Sequence, residues 1–116
     1  MKRGDLYWAD FTHRKGSEQS GKRPALILSH DAFNSIPTWH SVIVVPLTTS
    51  SKALKGPTAI PIPKASGGLK ADSIVLCHQV TTLDRTRLKD RIGALDSVSI
   101  HSVEKGILLA MGINIW

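Results

Sequence analysis

The sequence predicts a mainly β domain, a small barrel of curved antiparallel strands with one helix packed against it at the C-terminal end. Short apolar runs, separated by Gly, Pro and polar segments, fill the first three quarters of the 116-residue chain. Several runs are rich in β-branched residues, which favour strands. Only the last segment changes to helical periodicity. The length fits one domain over residues 1–116.

The individual strands follow from the positions of these apolar runs. Strands are predicted at residues 6–11, 25–29, 41–45 and 91–95, and one or two more within residues 73–81. Short helical turns are predicted at residues 31–36, where Pro37 stops the turn, and at residues 84–89. Residues 58–63 look extended, but Pro61 and Pro63 each lack a backbone donor, which predicts an edge strand or a segment outside the sheet.

The C-terminal segment predicts an amphipathic helix that begins after Asp96, a suitable N-cap. Its apolar face repeats at three- and four-residue spacing through Ile100, Val103, Ile107 and Met111. Gly106 and Gly112 each weaken a helix by about 1 kcal/mol relative to alanine. Close packing against a neighbouring element, or across a dimer interface, would explain why glycine is kept there.

Composition limits the partners and the compartment. The net charge of +6 and the sequence pI of about 9.8 favour a polyanionic partner, nucleic acid first and an acidic protein second. Cys77 is the single cysteine, so no intrachain disulfide forms; a buried role as a small hydrophobe in a reducing cytoplasm is expected. No signal peptide and no membrane-spanning stretch are predicted.

One polar segment between predicted strands resembles a nucleotide-binding loop without being one. Residues 16–22, GSEQSGK, match G-x-x-x-x-G-K, but Arg23 and Pro24 follow where that motif needs Ser or Thr, and the next residues are a short apolar strand. The loop still carries the cations Lys15 and Lys22, the donors of its Ser and Gln residues, and Arg23, whose guanidinium can bind two phosphate oxygens. A solvated hairpin loop with ordinary charges is the alternative interpretation.

The order of several short motifs is characteristic of one known family. RGDLYWADF, GSEQSGKRPALILS, VVPLTTS, DSIVLCHQVTTLD and RIGAL follow one another over residues 3–95. Together they resemble the MazF/PemK/Kid family of toxin endoribonucleases, or mRNA interferases, of type II toxin–antitoxin systems. The resemblance implies an SH3-like, PemK/CcdB-like barrel, a homodimer and a cognate acidic antitoxin of the MazE/PemI type. It also implies sequence-specific cleavage of single-stranded mRNA without a metal or cofactor, which stops translation and growth.

The same resemblance assigns residues to the reaction. The family's catalytic Arg and Thr fall on Arg23 and Thr48, and its acidic loop residue falls on Glu18. Gln79 matches the Gln of an acid-Gln-Val element, in which His78 replaces the usual acid and leaves the base preference open. The RNA-binding residues that we expect are Phe11, Lys15, Ser17, Gln19, Lys22, Ser50, Lys52, His78 and Gln79.

These residue types fit RNA cleavage in which the 2′-hydroxyl is the nucleophile. Arg23 suits stabilisation of the extra negative charge on phosphorus, and Thr48 can donate its hydroxyl to a non-bridging oxygen. Glu18 is a candidate base, with a structural role as partner of Lys22 as the alternative. The expected products are a 2′,3′-cyclic phosphate and a 5′-hydroxyl.

Two further features allow more than one interpretation. Trp39 lies in a loop-like stretch, where it either stacks a base or is buried, with burial favoured. Arg85, Arg87, Lys89 and Arg91 alternate and, if extended, share a face; a solvated charged edge is favoured there over an RNA contact. Two other functions also remain open, a non-nucleolytic gyrase poison of the CcdB type and an inactive relative that only binds an antitoxin.

Overall fold

The computed structural model describes residues 1–12, 21–53 and 56–114. Within these ranges the chain forms seven strands: β1 (Asp5–Asp10), β2 (Lys22–Ile27), β3 (Ser41–Thr48), β4 (Ala59–Ile62), β5 (Ser73–Leu76), β6 (Thr81–Asp84) and β7 (Leu88–Ala94). Helix α1 spans Asp31–Asn34 and helix α2 spans Ser97–Ala110. Single 3₁₀ turns occupy Ser51–Ala53, Ser66–Gly68, Cys77–Gln79 and Arg85–Arg87.

The sheet is antiparallel throughout and has β3 at its centre. The strand order is β4-β5-β3-β2-β1-β7, and β6 pairs with the first half of β3. The predicted mainly β architecture with a C-terminal helix is therefore confirmed. The sheet is not closed into the predicted barrel, because the described strands form an open path with β4 and β7 at its ends. Pro61 lies in the end strand β4, so of the two predicted alternatives the edge strand is the one observed.

One side of β3 is covered by two strands in succession instead of one. Leu47 pairs with Val75 of β5, and Val44 pairs with Thr81 of β6, so the partner side contains three residues more than β3 does. These extra residues form the 3₁₀ turn Cys77–Gln79, which stands beside the middle of β3. The predicted region of one or two strands is two strands separated by this turn.

Alternate residues of the central strands enter two separate hydrophobic clusters, because successive side chains point to opposite faces. One cluster lies against α2 and contains Leu6, Leu26, Val45, Leu47 and Val103, among others. The other contains Ala9, Phe11, Ala25, Val42 and Val44, among others. Most of both faces of the central strands is thus covered, which explains why their sequences are nearly continuous apolar runs; Ile43 of β3 is an exception at 44% exposed.

Helix α2 begins as the sequence predicts and packs through part of the predicted face. The Asp96 carboxylate accepts a hydrogen bond from the Ser99 backbone N–H at 2.7 Å, and Val103 is fully buried. Met111 corrects the prediction, because it is the C-cap residue and its side chain is 56% exposed. Among the helices that the structure describes, none is long and apolar enough to cross a membrane.

Gly106 is buried where α2 contacts Cys77. A Cβ atom added to Gly106 would lie 2.7 Å from the Cys77 sulfur, closer than real Cβ contacts allow. Cys77 is fully buried, as predicted, and burial raises the pKa of its thiol to about 11. The glycine is therefore explained by close packing within the chain.

Candidate cleavage site

Strand pairing brings Arg23 and Thr48 to the same end of the sheet. In the β2–β3 ladder, Ala25 lies opposite Pro46, and each candidate residue lies two positions further toward that end, Arg23 in β2 and Thr48 in β3. A step of two residues along a strand returns to the same face. The two candidate catalytic residues therefore lie on the face of the Ala25–Pro46 pair, at one end of neighbouring strands.

The Thr48 hydroxyl is held in place by the turn that follows β3. The residue is 4% exposed, and its Oγ1 accepts a hydrogen bond from the Ser50 backbone N–H at 3.2 Å. A hydroxyl that accepts one bond still has a proton to donate. Thr48 thus has a fixed position and donor capacity, which are the two properties that oxyanion stabilisation requires.

The strand that carries Arg23 places further charge at this end. Arg23 is partly exposed and pairs with Ala9 of β1, and Lys22 is exposed opposite Asp10. Hydrogen bonds from the Thr12 hydroxyl and backbone N–H lower the pKa of Asp10, with smaller contributions from Arg87 and Lys22. The basic side chains of β2 therefore lie beside a carboxylate that stays ionised.

His78 and Gln79 belong to the turn inserted beside β3. The His78 Nδ1 lies 2.9 Å from the Thr58 hydroxyl, which fixes one ring nitrogen while the residue remains exposed. Gln79 is half-buried in the same turn. Both residues thus belong to the turn beside β3, and their contact with RNA stays a prediction.

The remaining expected RNA contacts divide into two groups. Ser50 and Lys52 are exposed just after β3, at the same end of that strand as Thr48. The loop residues Lys15, Ser17, Glu18 and Gln19 lie outside the described residues.

Phe11 does not fit its expected role in RNA binding. Its side chain is 2% exposed and packs in the cluster with Ala25 and Val42. A ring enclosed in this way has no face on which a base can stack. The expectation failed because Phe11 follows β1 directly and continues its inward alternation instead of entering the basic loop.

Comparison with known proteins now decides the family. The family model described as "PemK-like, MazF-like toxin of type II toxin-antitoxin system" matches residues 2–111. The chain belongs to this family. It is 37% identical over 115 residues to "Endoribonuclease MazF" of Staphylococcus saprophyticus, with 98% of this chain and 93% of the relative covered.

Solved structures of MazF proteins have the same fold as this toxin-family chain. The crystal structure of MazF from Deinococcus radiodurans matches with a TM-score of 0.81 and 27% identity, over 97% of each chain. A MazE–MazF complex from the same organism matches with a TM-score of 0.75 and 28% identity, over 98% of this chain and 97% of the other. The PemK/CcdB-like architecture implied by the motifs is confirmed.

A structural role that the sequence did not reveal belongs to Arg85. It lies in the 3₁₀ turn before β7, and its guanidinium donates to the backbone carbonyls of the segment between α1 and β3. The interpretation of Arg85 as part of a solvated charged edge is therefore wrong. The alternating charges of Arg85, Lys89 and Arg91 do not predict this structural role. The carbonyls that Arg85 binds belong to residues about 50 positions earlier in the chain.

Metal ligation has no candidate site in the part of the chain that the structure describes. No group of three or more His, Cys, Asp or Glu side chains is arranged there so that it could hold an ion.

Proposed function

We propose that this toxin-family chain is a sequence-specific endoribonuclease that cleaves single-stranded mRNA, with Arg23 and Thr48 as catalytic residues. The position of both residues at one end of the paired strands β2 and β3 carries the proposal. A guanidinium and a fixed hydroxyl at one end of a sheet are suited to a phosphate under attack. The 37% identity to an endoribonuclease over nearly the whole chain supports the same reaction class.

The proposed reaction is an internal transfer followed by release. The RNA 2′-oxygen attacks the adjacent phosphorus and loses its proton to a base, and the bond to the departing 5′-oxygen breaks as that oxygen receives a proton. The fragments carry a 2′,3′-cyclic phosphate and a 5′-hydroxyl. Arg23 stabilises the extra charge on the phosphorane oxygens, because it stays cationic and is a poor base. Glu18 remains the proposed base, and the scheme needs no metal or cofactor.

The RNA strand is proposed to run over the end of the sheet that bears Thr48. Lys22, Ser50 and Lys52 are exposed there and offer donors to phosphates. His78 and Gln79 are proposed to contact base edges from the turn beside β3. Lys15, Ser17 and Gln19 are proposed to complete the contacts from the polar loop.

The proposed partners follow from charge and exposed apolar area. A net charge of +6 suits an acidic antitoxin segment that covers the RNA site, and the Deinococcus radiodurans MazF relative has been solved with MazE. A homodimer is proposed because an apolar groove between α2 and β3 leaves large side chains uncovered, namely Ile43, Leu109, Met111 and Ile113. We place the protein in the cytoplasm, where mRNA and antitoxin would be available.

The test uses purified protein and a long RNA in EDTA, with mapping of the new 5′ ends. Wild type should cut at a recurring short motif and leave 5′-hydroxyl ends, and Arg23→Ala should be severely impaired. Arg23→Lys is the matched control, because it keeps the charge but loses the two-pronged geometry. Intact RNA with wild type, or equal cleavage by Arg23→Ala, would overturn the proposal. Inhibition of gyrase supercoiling with no RNA cleavage would favour a CcdB-type poison.

A further inference from the structure

Two large aromatic side chains are exposed together on the segment between α1 and β3. Phe33 is 43% and Trp39 is 46% exposed, although apolar rings of this size are usually covered. Their ring centroids lie 4.8 Å apart with a tilt of 44°. We call this pair the aromatic platform.

Arg85 holds the platform in a fixed conformation. Its Nε donates to the Trp39 carbonyl at 3.1 Å and its Nη1 to the Asn34 carbonyl at 3.0 Å. Its Nη2 donates to the carbonyls of Ile36 at 3.1 Å and Phe33 at 3.4 Å. One cationic side chain therefore binds the backbone carbonyls of both ring-bearing residues. The backbone that carries the exposed rings is held in one conformation, which preorganises the rings.

Buried hydrogen bonds of Asn34 also stabilise the segment between α1 and β3. Asn34 is 5% exposed, donates to the Ser29 carbonyl at 2.7 Å, and accepts from the Ser29 hydroxyl at 2.6 Å. Its amide also donates to Asp31 at 3.1 Å. The segment is thus built around satisfied buried polar groups, and the apolar rings are directed outward instead of being used to cover the core.

Cations lie beside both carboxylates around the platform. Asp31 lies near Lys2, and Asp84 lies near Arg87. Arg85 adds a further cation directly at the platform, on a chain of net charge +6. A surface of this composition suits a negatively charged partner with flat apolar faces.

The distance from the candidate cleavage site is compatible with one bound strand of RNA. Trp39 precedes β3 and Thr48 ends it, so about nine residues at roughly 3.3 Å each separate them, on the order of 30 Å at most. The Cα extents of the chain are 37 × 33 × 30 Å. Small β domains bind single strands of about 4–16 nucleotides, a length that can reach both places.

We propose that the aromatic platform is a second RNA-binding site, where Trp39 and Phe33 stack an unpaired base of the strand outside the cleavage site. The inference rests on the proposed ribonuclease function. The aromatic platform would add a contact that increases the affinity for long RNA without touching the reacting phosphate.

Tryptophan fluorescence tests the contact directly. The probe is a mixed-sequence RNA of about 20 nucleotides carrying 2′-O-methyl groups throughout, which removes the nucleophile and prevents cleavage. We expect this RNA to quench wild type and Trp8→Phe by similar amounts and Trp39→Phe clearly less. Trp8 is the matched control, because it is 45% exposed on β1 and lies outside the platform. Quenching of Trp39→Phe equal to that of wild type would overturn the inference.

Binding strength supplies a second readout, measured by the anisotropy of the same labelled RNA. Trp39→Leu keeps an apolar side chain but removes the π-face, and it should weaken binding by about 5- to 150-fold, the range found for loss of one stacked base. Trp39→Phe should restore most of the affinity, and Trp8→Leu should change it little. Each variant is first compared with wild type by thermal unfolding. Equal binding by folded Trp39→Leu and wild type would overturn the inference.

Cleavage kinetics separate this inference from the proposed function. After the cut site is mapped, RNAs of about 5 and about 20 nucleotides centred on it are compared. Trp39→Leu should raise KM for the long RNA toward the value of the short one, with kcat unchanged. Failure of wild type to cut either RNA would contradict the proposed function, whereas cleavage with the same KM in wild type and Trp39→Leu would contradict only the platform. A Trp39→Leu defect in antitoxin binding with RNA binding intact would also overturn it.

Discussion

The two ends of β3 are positioned by different interactions. At the Thr48 end, backbone pairing with Ile74 of β5 fixes the candidate catalytic residue, and β2 pairs with β3 up to Pro46. At the Ser41 end, the guanidinium of Arg85 fixes the preceding segment through bonds to its carbonyls. The cleavage site is thus built into the sheet, whereas the aromatic platform depends on one side chain. Mutations should therefore affect the two ends separately.

The largest effect is expected from Thr48→Ala. Loss of one preorganised donor to a developing oxyanion lowers kcat by about 100- to 1000-fold. Single-turnover cleavage of a short RNA measures this loss. Thr48→Ser keeps the hydroxyl and should retain most activity, which separates the donor from the packing of the methyl group. A Thr48→Ala enzyme as fast as wild type would contradict the assigned role.

Arg85→Met should loosen the other end of β3. Its removal leaves several backbone carbonyls without their charged donor, which we expect to cost about 2–4 kcal/mol in the free energy of unfolding. Urea denaturation measures the change. Under folding conditions, cleavage of short RNA should persist while the preference for long RNA is lost.

Arg87→Met provides the control for Arg85. Arg87 is exposed, and its ion pair with Asp10 is 4.0 Å long, so stability should change little. Equal destabilisation by both variants would mean that positive charge in this turn, not the bonds to the carbonyls, holds the segment.

Gly106→Ala should lower the free energy of unfolding without a separate effect on either end of β3. The new methyl group would meet the Cys77 sulfur at 2.7 Å, and the overpacking should outweigh the gain in helix propensity by about 1–2 kcal/mol. Cys77→Ala should relieve the strain, so a double-mutant cycle in urea should show clear coupling. Additive effects would contradict the proposed contact, and the ratio of long- to short-RNA KM should stay as in wild type.

The smallest effect is a pH dependence at the start of α2. Hydrogen bonds from the Ser99 backbone N–H and hydroxyl lower the pKa of Asp96 in the folded state. Its stabilising contribution is therefore complete above the unfolded pKa of about 4 and is lost as the pH falls through the folded value. Asp96→Asn keeps an N-cap but does not titrate, so its Tm should fall less than that of wild type between neutral and acidic pH. Parallel curves would contradict this assignment.

Local sequence patterns were sufficient for much of the fold. The apolar runs gave the central strands, although β3 extends through Pro46 to Thr48 where the prediction ended at Val45. The prolines limited residues 58–63 to an edge strand or a segment outside the sheet, and β4 is an edge strand; Asp96 caps α2 as predicted. Phe11 and Met111 were assigned wrongly because local spacing does not show where a strand or helix stops facing the core.

The features of the candidate site also fall into two groups, those that sequence patterns identified and those that only the structure shows. Family motifs named Arg23, Thr48, His78 and Gln79, and the family itself is confirmed by the match over residues 2–111. The contact between His78 and Thr58, the burial of Thr48 and the anchoring role of Arg85 were outside the reach of sequence patterns. Each joins chain segments or depends on packing that a single sequence does not encode at fixed spacing.

By itself, the sequence determined the β class, the C-terminal helix, the family and the basic charge, because these follow from composition, short-range periodicity and contiguous motifs. Only the tertiary structure decided that Arg23 and Thr48 lie at one end of neighbouring strands, because the β2–β3 register joins Ala25 to Pro46. It also decided that Arg85 holds Phe33 and Trp39 at the surface, because its donors meet carbonyls about 50 residues away. Long-range pairing is set by the packing of the whole chain, and local patterns do not contain it.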